Sequence, residues 1–125
     1  MIKLFFVGIG GFLGSCLRYI LSGWVHEVLD NPWYPFGTFA VNIMGCFFIG
    51  FFCGLVENKG FFSSPTRLFL LVGFLGGFTT FSTFSYETFS LLQDAKIIAA
   101  FCNITFHVFF GLLAVFVGYG VTNFL

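Results

Sequence analysis

Four long apolar runs, at roughly 4–25, 36–56, 66–91 and 97–121, dominate this chain and leave only short polar connections between them. An α-helix needs ~20 mostly apolar residues to cross the hydrocarbon core of a bilayer, and each run supplies them. The expected fold is therefore an all-α integral membrane bundle of four transmembrane helices, a single domain over residues 1–125 with the lipid bilayer as its solvent. The connections read as turns. The first, His26 to Pro35, carries Glu27, Asp30, Asn31 and two prolines; the second runs from Glu57-Asn58-Lys59-Gly60 to Pro65; the third is Gln93-Asp94-Ala95-Lys96. None of them leaves room for a soluble domain, and the chain has no nucleophile–base pair, metal cluster or phosphate loop. It does not read as an enzyme.

Composition narrows the class further. With 58% hydrophobic and 8% charged residues, the chain cannot cover a soluble globule with polar surface. Its net charge of zero gives no footprint for nucleic acid. Cys16, Cys46, Cys53 and Cys102 are scattered through the apolar runs without a CxxC pair or a histidine at ligand spacing, so they read as small packing residues. Lys3 followed by an apolar run resembles the start of a signal peptide, but Arg18 interrupts the run and no A-x-A-like site follows. A retained helix is expected. Asn103-Ile104-Thr105 matches a glycosylation sequon but lies in mid-span, where no glycan is added.

Residues 73–90, GFLGGFTTFSTFSYETFS, break the pattern of an ordinary spanning helix. They put a Gly-Gly step, a dense set of hydroxyls and a series of phenylalanines at membrane depth. Polar groups there are costly and usually mark an ion or substrate path. Phe78, Phe81 and Phe84 recur at i, i+3 spacing on one helix face, with Thr79, Thr80, Ser82, Thr83 and Ser85 between them. A phenyl ring has a negative face but a positive edge, so rings presented edge-on suit a small anion without a full positive charge. Aromatic packing, with the hydroxyls bonded to the preceding turn, is the plainer reading. Two half-helices meeting near Gly76-Gly77 would also free carbonyls suited to a desolvated monovalent cation, unless a hydrogen-bonded kink uses them instead.

Other polar groups in the spans are few. Arg18 either snorkels to the interface or draws anions to a vestibule. Asn42 makes an interhelical hydrogen bond or offers an amide donor to a pore. Glu87, near the end of the third span, pairs with a donor such as Thr83. Gly10-xxx-Gly14 and Gly50-xxx-Gly54 let helix backbones approach closely. Four such helices do not readily enclose a pore alone, which points to a homo-oligomer. The charges are almost balanced across the membrane: Lys3, Lys59 and Arg67 against Arg18 and Lys96. So weak a positive-inside bias fits insertion both ways and antiparallel pairing, or one orientation set by local signals.

Taken in order, Gly10-Gly11-x-x-Gly14-x-x-x-Arg18-Tyr19, Gly37-Thr38-x-x-Val41-Asn42-x-x-Gly45 and Gly73-Phe74-x-Gly76-Gly77-x-Thr79-Thr80-Phe81-Ser82-Thr83-Phe84-x-x-Glu87 resemble the motifs of the Fluc (CrcB) fluoride channel family. The resemblance covers the whole chain in length and helix count, and the third motif is its specific part. It implies a dual-topology homodimer of antiparallel subunits with fluoride pores at the interface. It also implies a structural sodium ion held by main-chain carbonyls of the broken third helix, here Gly76 and Thr79. Phe81 and Phe84 match the rings of the anion path, and Asn42 the pore amide. Ser82, Thr83 and Glu87 fall on or near the polar track, and Arg18 lies at the aqueous entrance. In the last helix Asn103 falls where a tyrosine is common and His107 where a serine is common; His107 donates to the anion, fills a gap or confers pH sensitivity.

The resulting expectation is passive fluoride efflux across the inner (plasma) membrane, protecting the cell. The rival is a small four-helix proton-coupled drug or cation exporter, which needs a membrane-embedded acid. The first span, 4–25, has none, leaving Glu87 alone for that role. A non-transporting membrane assembly subunit is the third reading.

Overall fold

A computed structural model describes residues 1–30 and 33–125. Asn31 and Pro32 of the first connection lie outside the described residues. Among the described residues every regular element is helical: α1 (Ile2–Leu29), α2 (Phe36–Lys59), α3 (Ser64–Arg67), a π-helical stretch (Leu68–Phe74), α4 (Leu75–Phe78), α5 (Phe81–Gln93), α6 (Ile97–Val121) and a terminal 3₁₀ turn (Thr122–Phe124). They form four stretches long and apolar enough to cross a membrane, Ile2–Leu29, Phe36–Lys59, Ser64–Gln93 and Ile97–Phe124. Each extends past the bounds expected from apolarity alone, because polar interfacial residues continue the helix until a cap stops it. Thus His26 and Glu27 remain in α1, which ends at a left-handed Asp30 whose N–H donates to His26 O at 3.2 Å. Glu57 to Lys59 remain in α2, which ends at Gly60 with φ of 66°, a conformation glycine adopts without a Cβ penalty.

Close backbone approach determines which helices pair. α1 packs on the π-helical stretch and α4, while α2 packs mainly on α6. A Cβ on Gly10 or Gly14 would run into Phe69 O or Phe74 O of the third span, and one on Gly50 would meet the Val115 carbonyl of α6. From the other side, a Cβ on Gly118 would collide with Phe47 O. Rigid backbone cannot yield as a side-chain tip can, and overpacking of this kind costs about 1–3 kcal/mol. Gly118→Ala is therefore expected to lower the thermal midpoint of the detergent-solubilised protein, followed by loss of its monodisperse elution peak on heating. Gly8→Ala, where a Cβ meets nothing within 4 Å, should leave it unchanged.

The third span departs from the sequence reading in one particular. Gly76 and Gly77 do not mark the place where the backbone leaves the helix; both lie inside α4. The extended residues come later, Thr79 at φ/ψ −87°/154° and Thr80 at −149°/116°. Each glycine has a different role. Gly77 lets α4 lie against the Gly11 backbone, where a Cβ would come within 2.5 Å of its carbonyl oxygen. Gly76 is exposed, and a Cβ there meets nothing within 4 Å. Large apolar side chains such as Phe12, Phe101 and Phe116 are exposed on the outer faces of α1 and α6, as lipid-facing positions require.

Candidate functional site

The site is built around Thr80. As the N-cap of α5, Thr80 accepts the Thr83 N–H on its hydroxyl at 3.4 Å and shares hydrogen bonds with the hydroxyls of Ser82 and Thr83, each at 3.2 Å. Its own main chain is held from α2. Asn42 Oδ1 accepts the Thr80 N–H at 2.9 Å, and Asn42 Nδ2 donates to Thr80 O at 3.3 Å. An extended residue at membrane depth loses helical partners for its backbone, and each lost partner is expensive in lipid. One primary amide replaces both. The second N–H of that amide is still available.

Two clefts meet at this residue. A polar cleft of about 680 Å³ is lined by Ser15 and Arg18 from α1, Tyr34 from the connection before α2, Thr38 from the first turn of α2, and Thr83 and Glu87 from α5. An apolar cleft of about 410 Å³ is lined by Asn42 and Cys46 from α2, Phe81 and Phe84 from α5, and His107 from α6. Thr80 belongs to both walls.

Within the polar cleft, Thr38 Oγ1 donates to Glu87 Oε1 at 2.6 Å. The partner of Glu87 is thus Thr38 rather than Thr83, whose hydroxyl is engaged with Thr80. Thr38 lies one helical turn before Asn42 and so on the same face of α2. That spacing is legible in the sequence, yet Thr38 received no role there. Arg18 is half-buried in the cleft, and its Nε has no hydrogen-bond partner among the described residues; the same holds for Glu87 Oε2 and the Tyr34 hydroxyl. Burial, with smaller contributions from the neighbouring Cys102 and Glu87, pushes the Tyr34 phenol up to about 12. At neutral pH it therefore keeps its O–H as a donor.

The apolar cleft holds the aromatic groups. The Phe81 and Phe84 ring centroids lie 5.5 Å apart at an interplanar angle of 49°, and Phe81 is 79% exposed on the open side of the chain. Phe84 also lies against the His107 ring at 4.4 Å. Behind them a buried chain of hydrogen bonds runs from Asn103 Nδ2 to Thr88 Oγ1 at 2.9 Å, and from Thr88 Oγ1 to Phe84 O at 2.8 Å. Asn103 is fully buried and supports the phenylalanine helix from behind. Apolar periodicity on α6 gives no hint of this contact, because its partner lies on another helix.

The family model described as CrcB-like protein, Camphor Resistance (CrcB), matches residues 5–119. The chain belongs to the CrcB family. Among proteins similar to this CrcB member is Fluoride-specific ion channel FluC 1 of Methanosarcina acetivorans, 48% identical over 94% of this chain and 88% of the relative. Fluoride-specific ion channel FluC of Geotalea daltonii is 42% identical over 100% of both chains. That of Campylobacter fetus is 42% identical over 96% of this chain and 93% of the relative. The matched region takes in every residue of both clefts. In this CrcB chain Asn42, Phe81, Phe84 and His107 share one cleft, Arg18, Thr83 and Glu87 share the other, and Ser82, in neither wall, hydrogen-bonds the Thr80 hydroxyl at their junction. Gly76 lines the aromatic cleft, as does Thr79.

Proposed function

We infer that this chain is a fluoride channel, a multi-pass protein of the plasma membrane that lets the anion leave the cell down its electrochemical gradient. The observation that carries this reading is the junction at Thr80, where a polar, arginine-bearing cleft meets a phenylalanine-lined one. HF crosses membranes as a neutral acid and dissociates inside, trapping the anion. An inside-negative potential favours anion exit by ~2.3 kcal/mol per 100 mV, so the pathway needs no coupled ion. Arg18 attracts fluoride to the polar cleft, and the hydroxyls of Ser82 and Thr83 replace part of its hydration. The free N–H of Asn42 and the ring edges of Phe81 and Phe84 then receive it. In this reading selectivity comes from the spacing of these donors, which chloride, with its larger radius, fits poorly.

The working unit in this proposal is an antiparallel, dual-topology homodimer. The near balance of Lys3, Lys59 and Arg67 against Arg18 and Lys96 supports it, as does the exposed face that carries Gly76 and Phe81. A structural sodium ion fits the same face. The Thr80 N–H turns to Asn42 rather than back to Gly76 O, so the Gly76 carbonyl is free of its usual helical partner, and Thr79 is extended. Carbonyls of Gly76 and Thr79 from two subunits would hold the ion, which supplies fixed positive charge at the junction of the subunits.

Reconstitution in liposomes tests the reading. Fluoride and chloride efflux, recorded with ion-selective electrodes under a potassium–valinomycin potential, should show rapid release of fluoride with chloride retained. Vesicles that hold both ions, from protein that elutes as a single folded species, would overturn the assignment.

A further inference from the structure

His107 holds a chemically asymmetric position in the aromatic cleft. Its Nδ1 lies 2.9 Å from Asn103 O. A backbone carbonyl can only accept, so Nδ1 carries a proton and donates it. In the neutral ring the other nitrogen is then a bare lone pair. That nitrogen, Nε2, is buried and has no hydrogen-bond partner among the described residues. The ring packs against Phe84 at 4.4 Å and against Phe39 at 5.2 Å and 85°. The cleft wall it joins also contains Asn42, Phe81 and Phe84.

An anion next to a lone pair is repelled, whereas an anion next to N–H⁺ is strongly bound. We propose that His107 forms a fluoride subsite that takes up the anion together with a proton on Nε2, a proposal that rests on the channel reading above. The proton comes from solvent and stays on the imidazolium, which donates N–H⁺ to the anion; no covalent bond to fluoride forms. The surroundings leave His107 as the group that carries this charge. Among the described residues lining the cleft, Cys46 on α2 is the other titratable side chain. From α5 the nearest carboxylate along the chain, Glu87, turns to Thr38 and lines the polar cleft instead. The π-helical stretch and α4 contribute Leu71, Leu75 and Gly76, which carry no charge.

Linkage makes the subsite measurable: if a proton favours fluoride at this site, fluoride must favour the proton equally. The chain has two histidines; His26 lines the polar cleft, and the spectrum of His107→Gln assigns the two signals. The experiment is an NMR titration of ¹⁵N-histidine-labelled protein in nanodiscs over about pH 5 to 8, in sodium fluoride and in sodium chloride. Fluoride should raise the His107 midpoint by about one unit, equivalent to a tenfold preference of the anion for the protonated form. In His107→Gln, fluoride affinity should lose its pH dependence. Coincident His107 midpoints in the two salts would overturn the subsite. If wild-type liposomes still conduct fluoride in that case, the channel reading stands without it. If they do not, the channel reading fails by its own test.

Discussion

Fluoride efflux through Phe84→Ile is expected to fall by up to about tenfold, and through Phe81→Ile by a smaller factor, with the fold intact. Isoleucine retains apolar bulk but removes the positive ring edge. A well-placed aromatic contact contributes about 0.5–1.5 kcal/mol beyond its buried area, and 1.36 kcal/mol on a barrier is a factor of ten in rate. The Phe84 change should be the larger of the two, because that ring lies against both Phe81 and His107. Phe81 is exposed on the open face of the chain, so within a homodimer its effect depends on the partner subunit. Liposome efflux rates, normalised to reconstituted protein, give the measurement. Wild-type rates in both variants would remove the ring-edge account, and the phenylalanines would then be packing residues only.

Asn42→Leu is expected to act on both structure and transport. The side-chain amide holds the Thr80 N–H and carbonyl together, and leucine, similar in volume, can replace neither bond. A buried polar group left without a partner costs about 1–3 kcal/mol, so the two together suffice to disorder the junction between α4 and α5. A clear fall in the thermal midpoint of the purified protein should accompany near-complete loss of fluoride efflux. Asn42→Asp separates the two contributions. It keeps the acceptor for the Thr80 N–H but loses the donor and places negative charge in an anion path. Efflux should be lost in that variant with a smaller thermal shift. Normal stability in Asn42→Leu would mean that the Thr80 backbone finds other partners, and the clamp would be discarded.

Much of this architecture is legible along the chain because hydrophobic length is a one-dimensional property. Four apolar runs bounded by polar turns determine four spans, and the misjudged ends, such as His26 and Glu57 to Lys59, show where helical hydrogen bonding continues into the interface. The polar run 73–90 singles out the candidate functional helix for the same reason, since hydroxyls at membrane depth are conspicuous in any register. Local capping can also be read: Thr80 with Thr83 three residues later is a contact within one turn.

What only tertiary structure decides is which distant groups satisfy one another. Whether Asn42 would bond another helix or face a pore stays open along the sequence; in the fold it clamps Thr80 from across the bundle and still has an N–H to offer. Glu87 has several hydroxyl neighbours in its own helix, yet its carboxylate accepts from Thr38, distant in sequence. The Gly-Gly step looks like the break in the helix, but close packing of Gly77 on Gly11 keeps it helical and moves the extended residues to Thr79 and Thr80. His107 is a lone polar residue in an apolar run until Asn103 O fixes its proton on Nδ1 and leaves Nε2 buried with no partner among the described residues. Periodicity and hydropathy record how each segment meets its solvent. The pairing of polar groups between segments depends on helix rotation and depth, which are set by backbone contacts at glycines on different helices.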